Sequence, residues 1–215
     1  MENNAYKVSL AKNPKISIKV IPGHFATNSS HISHYLDVST LKSNALIAQD
    51  VARELALPYL SSCPIDTIVC MENTKVIGAF LAQELSQHGM KVLNSGCEIN
   101  VVTPMSNING KLVFFDSEIE WIENRNILLL VATISSGRTV RSALECLEYY
   151  GGKLVGISAL FLASSERLKH ESHSLFTTED IEGYKVYKPS ECEMCKAGLK
   201  VDIIVGSDGY TKISN

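Results

Sequence analysis

The sequence predicts an α/β fold in which a central, mainly parallel sheet is flanked by helices, with small N-terminal and C-terminal additions forming a hood or flap. Three observations predict it. Short apolar runs alternate with amphipathic stretches, the order that lays helices on the faces of a parallel sheet. The apolar run 127–132 breaks directly into a turn rich in hydroxyls and glycine, followed by a helix. The chain's 215 residues, 45% hydrophobic and 20% charged, supply one sizeable core and are short for two, so residues 1–215 are expected to form a single domain.

The elements follow in order. From 42 to 57, Ile47, Val51 and Leu55 recur every four residues among Gln49, Asp50, Arg53 and Glu54, which is the spacing of an amphipathic helix resting on a sheet. Residues 65–70 read as a buried strand. Residues 76–88, rich in Ala, Leu and Gln, read as a helix closed by Gly89. Strands are expected at 99–103 and 112–115, and between them Pro104 to Gly110 forms a polar connection with an Asn109-Gly110 turn signal, a mobile loop or hairpin. Residues 127–132 form a strand, 138–150 a helix ended by Gly151-Gly152, and 154–162 another strand. After His170 the texture changes, with short segments at 184–187 and 202–205 that fit edge strands or a flap.

Composition narrows the partners. A formal net charge of −3 argues against a surface that coats nucleic acid, which needs clustered Lys and Arg, and leaves small molecules as the expected ligands. The N-terminal segment lacks the apolar stretch of a signal peptide, and the longest apolar run is too short to cross a bilayer, so no membrane partner and a cytoplasmic location are expected. Cys63, Cys70, Cys97, Cys146, Cys192 and Cys195 are scattered through a chain that does not need disulfide staples, and are read as mostly reduced. Cys192-x-x-Cys195 is a single pair where a structural zinc site takes four ligands, so a reduced turn is the expected reading. His31-x-x-His34 and His170-x-x-His173 have no completing carboxylate nearby and are read as surface pairs.

The most informative stretch is the strand end and turn Thr133-Ile134-Ser135-Ser136-Gly137-Arg138-Thr139. At a helix N-terminus several backbone N–H groups lack carbonyl partners and the helix dipole favours negative charge. Amides and hydroxyls there can hold a phosphate. Gly137 allows close approach. An ordinary corner in which Ser135 or Ser136 caps the helix is the competing reading.

With these residues in place, the chain resembles type I phosphoribosyltransferases, and within them orotate phosphoribosyltransferases. The 135–139 turn matches the second half of the family's phosphate signature. Gly23, Phe25, Ser29, Ser33, Tyr35 and Asp37 match an N-terminal pattern of the orotate branch, with Ser30 in place of a glycine. Residues 66–78 look like the family's pyrophosphate loop, and Cys192-x-x-Cys195-Lys196-x-Gly198 is similar to the ending of some bacterial orotate enzymes.

The resemblance implies a homodimer that transfers phosphoribosyl from 5-phosphoribosyl 1-diphosphate to a pyrimidine-type base, with Mg2+. It places the phosphate on Ser135, Ser136, Gly137, Arg138 and Thr139, the pyrophosphate against Glu72, Asn73, Thr74 and Lys75, and the base near Phe25, Asn28 and Tyr35. Glu72, Lys75 and Lys111 would serve catalysis. Two departures stand out. The family's acidic ribose-binding pair is Val131 and Ala132 here, which removes two charge-assisted contacts worth roughly 1.5–3 kcal/mol each unless another group such as Glu72 replaces them. The hood retains Lys111 alone of its expected cations, and an Arg expected beyond the last core strand falls near Ala163, with Arg167 a few residues on. A non-catalytic sensor of nucleotide or phosphoribosyl diphosphate is therefore the alternative function.

Overall fold

The computed structural model describes residues 4–87, 93–163 and 170–206, with the backbone of 209–212. Three antiparallel strands open the chain: β1 (Tyr6–Leu10), β2 (Asn13–Ala26) and β3 (His31–Asp37). In β2 the side chains of Ile16, Ile18 and Val20 are buried while Ser17 and Lys19 stay partly exposed, the period-two alternation of a strand with one covered face. Two helices follow, α1 (Ser39–Ser43) and α2 (Ala45–Ala56). The expected single helix 42–57 is thus divided. Asn44 is extended, and its side-chain oxygen accepts the Leu46 and Ile47 amides at 3.1 and 3.2 Å, so it caps α2 and cannot continue α1.

Next come β4 (Thr67–Cys70), α3 (Lys75–Ser86), β5 (Asn100–Val102), the short strands β6 (Met105–Ser106) and β7 (Leu112–Val113), then β8 (Asn126–Ile134), α4 (Arg138–Tyr149) and β9 (Lys153–Leu162). The tail supplies β10 (Ser172–Thr177), β11 (Val186–Tyr187), α5 (Glu193–Lys196), β12 (Ile203–Gly206) and β13 (Gly209–Lys212). His88, Gly89 and Arg167 lie outside the described residues.

Strands β10-β9-β8-β4-β5 form one sheet in which every pairing is parallel. Its central strand β8 shows why the sequence run is apolar throughout. Leu128, Leu130 and Ala132 pack on one face with α2 and α3, and Ile127, Leu129 and Val131 pack on the other with α4. Both faces are covered, so no polar alternation survives. Val140, Ala143, Cys146 and Leu147 form the buried stripe of α4.

The second sheet has the order β11-β3-β2-β12-β13, with β1 on β2, and joins the N-terminal strands to the tail. The hood or flap is therefore built from both ends of the chain. Among the described residues strands β6 and β7 pair only with each other, so the polar connection is a hairpin, closed by Asn107, whose side chain accepts the amides of Asn109 and Lys111 at 3.0 Å. Among the described residues no helix is long and apolar enough to cross a membrane.

Candidate phosphate-binding site

In the parallel sheet the chain runs from β4 outward to β5 on one side and returns to β8 on the other. The loops after β4 and β8 consequently part in opposite directions, which opens a crevice at the carboxyl ends of these strands. A cleft of about 900 Å³ lies there, lined by Met71, Glu72 and Asn73 after β4 and by 133–140, from the last residues of β8 into α4. The β6–β7 hairpin and the turn containing Thr27, Asn28 and Ser29 complete its walls.

Gly137 is the N-cap residue of α4 and has φ 72° and ψ 9°, the left-handed conformation that costs glycine little. It turns the chain so sharply that, among the described residues, the amides of 135–140 find no backbone or side-chain acceptor. They are donors left without partners beside the cleft. Ser135, Ser136, Gly137, Arg138 and Thr139 all line it. The Ser29 hydroxyl reaches across from the hood to the Ser136 hydroxyl, 2.8 Å away. Ser30, where the family has glycine, is buried, and its amide donates to the Thr27 hydroxyl at 3.0 Å. Its own hydroxyl lies 3.0 Å from the Thr27 hydroxyl, a side-chain contact a glycine could not make, and it ties together the turn that carries Ser29.

Glu72 and Asn73 are both left-handed, at φ 53° and 62°, a conformation that costs a non-glycine residue about 1–3 kcal/mol. The hydrogen bonds of Glu72 explain how it persists. One carboxylate oxygen accepts the amides of Ala132 and Thr133 at 3.0 Å each, the other accepts the Thr139 hydroxyl at 3.1 Å, and the Lys42 ammonium donates to its backbone carbonyl at 3.0 Å. Val131 and Ala132 carry no acid, but the loop delivers a carboxylate to the end of their strand. Thr139 meanwhile has committed its hydroxyl to Glu72.

Other expected site residues lie elsewhere. Phe25 is fully buried in a hood cluster with Ile21, Ile32 and Ile203, and its ring sits 6.0 Å from that of Tyr35. Both pack in the second sheet and neither lines the cleft, which Asn28 does. Thr74 is buried too, donating to the Met71 carbonyl at 2.7 Å, which closes the turn before α3. Lys75 is exposed on the first turn of α3 and is absent from the cleft lining. Lys111 lines a separate pocket between the hairpin and α4. Arg138 is the one cation among the described residues that line the cleft.

The structure adds Thr103, Thr133 and Ser142 to the lining. Thr103 Oγ1 is buried and has no hydrogen-bond partner among the described residues, a costly state that a bound polar group would relieve. Its signal in the sequence was a threonine ending a strand beside Pro104.

No protein-family model matches the chain. Its sequence is similar to the orotate phosphoribosyltransferase of Caldicellulosiruptor saccharolyticus, 21% identical over 186 residues that cover 85% of this chain and 87% of the relative. The orotate phosphoribosyltransferase of Chlorobium phaeobacteroides matches at 20% identity with the same coverage. Among solved structures, UMP synthase of Leishmania donovani superposes with a TM-score of 0.54 at 18% identity, over 74% of this chain and 34% of that one. Adenine phosphoribosyltransferase of Leishmania donovani gives 0.51 at 13% identity, over 74% and 77%. The chain therefore has the type I phosphoribosyltransferase fold. Within that class its sequence resembles the orotate phosphoribosyltransferases.

Proposed function

We propose that the cleft binds 5-phosphoribosyl 1-diphosphate or a nucleoside monophosphate, and that the protein transfers phosphoribosyl to a pyrimidine-type base as an orotate phosphoribosyltransferase-like enzyme. The observation that carries this reading is the row of unpaired amides at 135–140 opening into the cleft. Such a row, at a helix N-terminus, suits a doubly charged terminal phosphate. Glu72 would accept from a ribose hydroxyl: among the described residues its Oε1 takes the Thr139 hydroxyl alone, which leaves it a lone pair for such a donor.

In the transfer, the bond from ribose C1′ to the pyrophosphate oxygen breaks and its electron pair leaves with pyrophosphate. A ring nitrogen of the base forms the new bond to C1′ and gives up its proton to solvent. The sugar passes through an oxocarbenium-like state, so positioning and electrostatics supply most of the rate. Asn28 remains the candidate for contacting the base. Glu72 is the one carboxylate among the described cleft residues, and its oxygens already accept N–H and O–H donors. Mg2+ accordingly fits best as a partner of the substrate's own phosphates, carried in with them. A homodimer and a cytoplasmic location complete the proposal, both supported by the resemblance.

A second reading, a non-catalytic sensor, is favoured by the placement of Lys75 and Lys111 outside the cleft. Cations aimed at the leaving pyrophosphate act mainly in the transition state, so their loss spares binding and lowers turnover. Calorimetric titration with phosphoribosyl diphosphate, with and without Mg2+, followed by a screen of bases for pyrophosphate release, tests both readings. Binding with release supports the enzyme, binding without release across all bases selects the sensor, and absence of binding defeats both.

A further inference from the structure

Far from the phosphate turn in sequence, four side chains meet: His24, His31, Cys192 and Cys195, whose ligand atoms all lie within 4.8 Å of one another. The cysteines are free thiols. His24 and Cys192 are separated by 168 residues, so the folded chain brings the set together. We propose that this cluster is a structural Zn2+ site of the Cys2His2 type, which fastens the C-terminal segment to the hood.

Four of the six ligand-atom separations are close to those along the edges of a tetrahedron. Zinc bonds of about 2.0–2.1 Å to nitrogen and 2.3 Å to sulfur put the ligand atoms of a regular tetrahedron about 3.3 Å apart for a nitrogen pair and about 3.5 Å for nitrogen and sulfur. His24 Nε2 lies 3.0 Å from His31 Nδ1 and 3.5 and 3.7 Å from the sulfurs of Cys192 and Cys195, and Cys195 Sγ lies 3.3 Å from His31 Nδ1. Two neutral imidazoles and two thiolates would neutralise the ion's charge. With four protein ligands no position is left for water, so the site is structural and not catalytic.

The surroundings fit the assignment. His24 Nδ1 lies 3.0 Å from the Leu199 carbonyl, which accepts only a proton on that nitrogen. The Nε2 lone pair is then free and aimed into the cluster, the usual arrangement behind a metal-binding histidine. The register shift of β2 between Pro22 and Phe25 turns this side chain inward, and the Asp202 carboxylate holds the bulge by accepting the His24 amide at 2.9 Å. Cys192 and Cys195 bracket the start of α5, and Gly198, at φ 77°, turns the chain after them toward Leu199. The sequence's single thiol pair gains its missing partners across the fold. His31 and His34 part company because strand residues three apart point to opposite faces.

The site has a consequence for the cleft. Ser29 stands two residues before His31 and Val205 and Gly206 follow in the segment after Cys195, and all three line the cleft. Zinc would hold both walls in register. The assignment itself stands on the four ligands and does not depend on what the cleft binds.

Metal analysis of the purified full-length chain should find about one zinc per chain retained through desalting, and chelation should lower Tm by about 10 °C. Replacement by Co2+ should give the visible bands of a tetrahedral ion and a thiolate charge-transfer band. The Cys192→Ser, Cys195→Ser double variant should lose both the metal and the chelator sensitivity. Should that variant fail to fold, the cobalt spectrum of the wild type still reads the thiolates directly. Reduced, folded wild-type protein that takes up neither zinc nor cobalt at equimolar addition overturns the proposal, as does a cobalt spectrum without thiolate bands.

Discussion

Glu72 accepts a hydrogen bond from the Thr139 hydroxyl at 3.1 Å while its second oxygen holds the amides of Ala132 and Thr133. One carboxylate thereby joins the loop after β4, the end of β8 and the first turn of α4. Replacing Glu72 by Ala strands two backbone donors, which should cost about 3 kcal/mol. Thr139→Val removes one neutral donor and should cost about 1 kcal/mol. Urea unfolding of both variants checks the ranking, and equal losses would mean that the amides find other partners.

Gly137→Val places a β-branched residue in a left-handed conformation, so stability should fall by roughly 1–2 kcal/mol. Its side chain also obstructs the approach of an anion to the amides of 135–140, and affinity for phosphoribosyl diphosphate should fall at least about 100-fold. Gly137→Asn, a residue that tolerates this backbone, separates the two effects: stability close to wild type with weakened binding. Calorimetry showing unchanged affinity in the valine variant would place the ligand elsewhere.

Gly78 sits on α3 where a Cβ would overlap the Cys70 sulfur on β4, with Val101 a further 3.1 Å contact. The pair sets the distance between helix and sheet at the root of the Glu72 loop. Gly78→Ala should cost about 1–3 kcal/mol by overpacking. Adding Cys70→Ala removes the obstructing sulfur and should restore part of that loss, a non-additivity that a double-mutant cycle measures.

His34 is half-buried, stacks on Tyr184 with ring centroids 6.0 Å apart, and is held below the ordinary histidine pKa by burial. The unfolded chain then protonates first as pH falls. The contribution of His34 is fully present above about pH 6.5, the unfolded value, and erodes below it. The urea midpoint of His34→Gln should accordingly fall less than that of the wild type between pH 7.5 and 5. Parallel pH profiles would show that His34 is solvated in the folded state.

Local pattern was enough for β4, β8, β9, α3 and α4, while β10 of the same sheet was not legible in it. The apolar run around Leu128–Leu130 is buried on both faces, and the 3.6-residue stripe of α4 packs as its spacing implies, because burial and periodicity are properties of neighbouring residues. The 135–139 turn was legible for the same reason. The break at Asn44 turned on a single cap, a signal that helical periodicity alone does not carry.

The sequence by itself therefore determined the fold class and the place of the 135–139 turn, since each depends on contiguous chain. The tertiary structure decided which distant side chains serve that turn. Phe25 and Tyr35 went to the hood core, Lys75 and Lys111 left the cleft, Glu72 reached the end of β8, and His24, His31, Cys192 and Cys195 converged. Each outcome depends on how two sheets and their loops meet, and spacing along one chain holds no record of a distance across the fold.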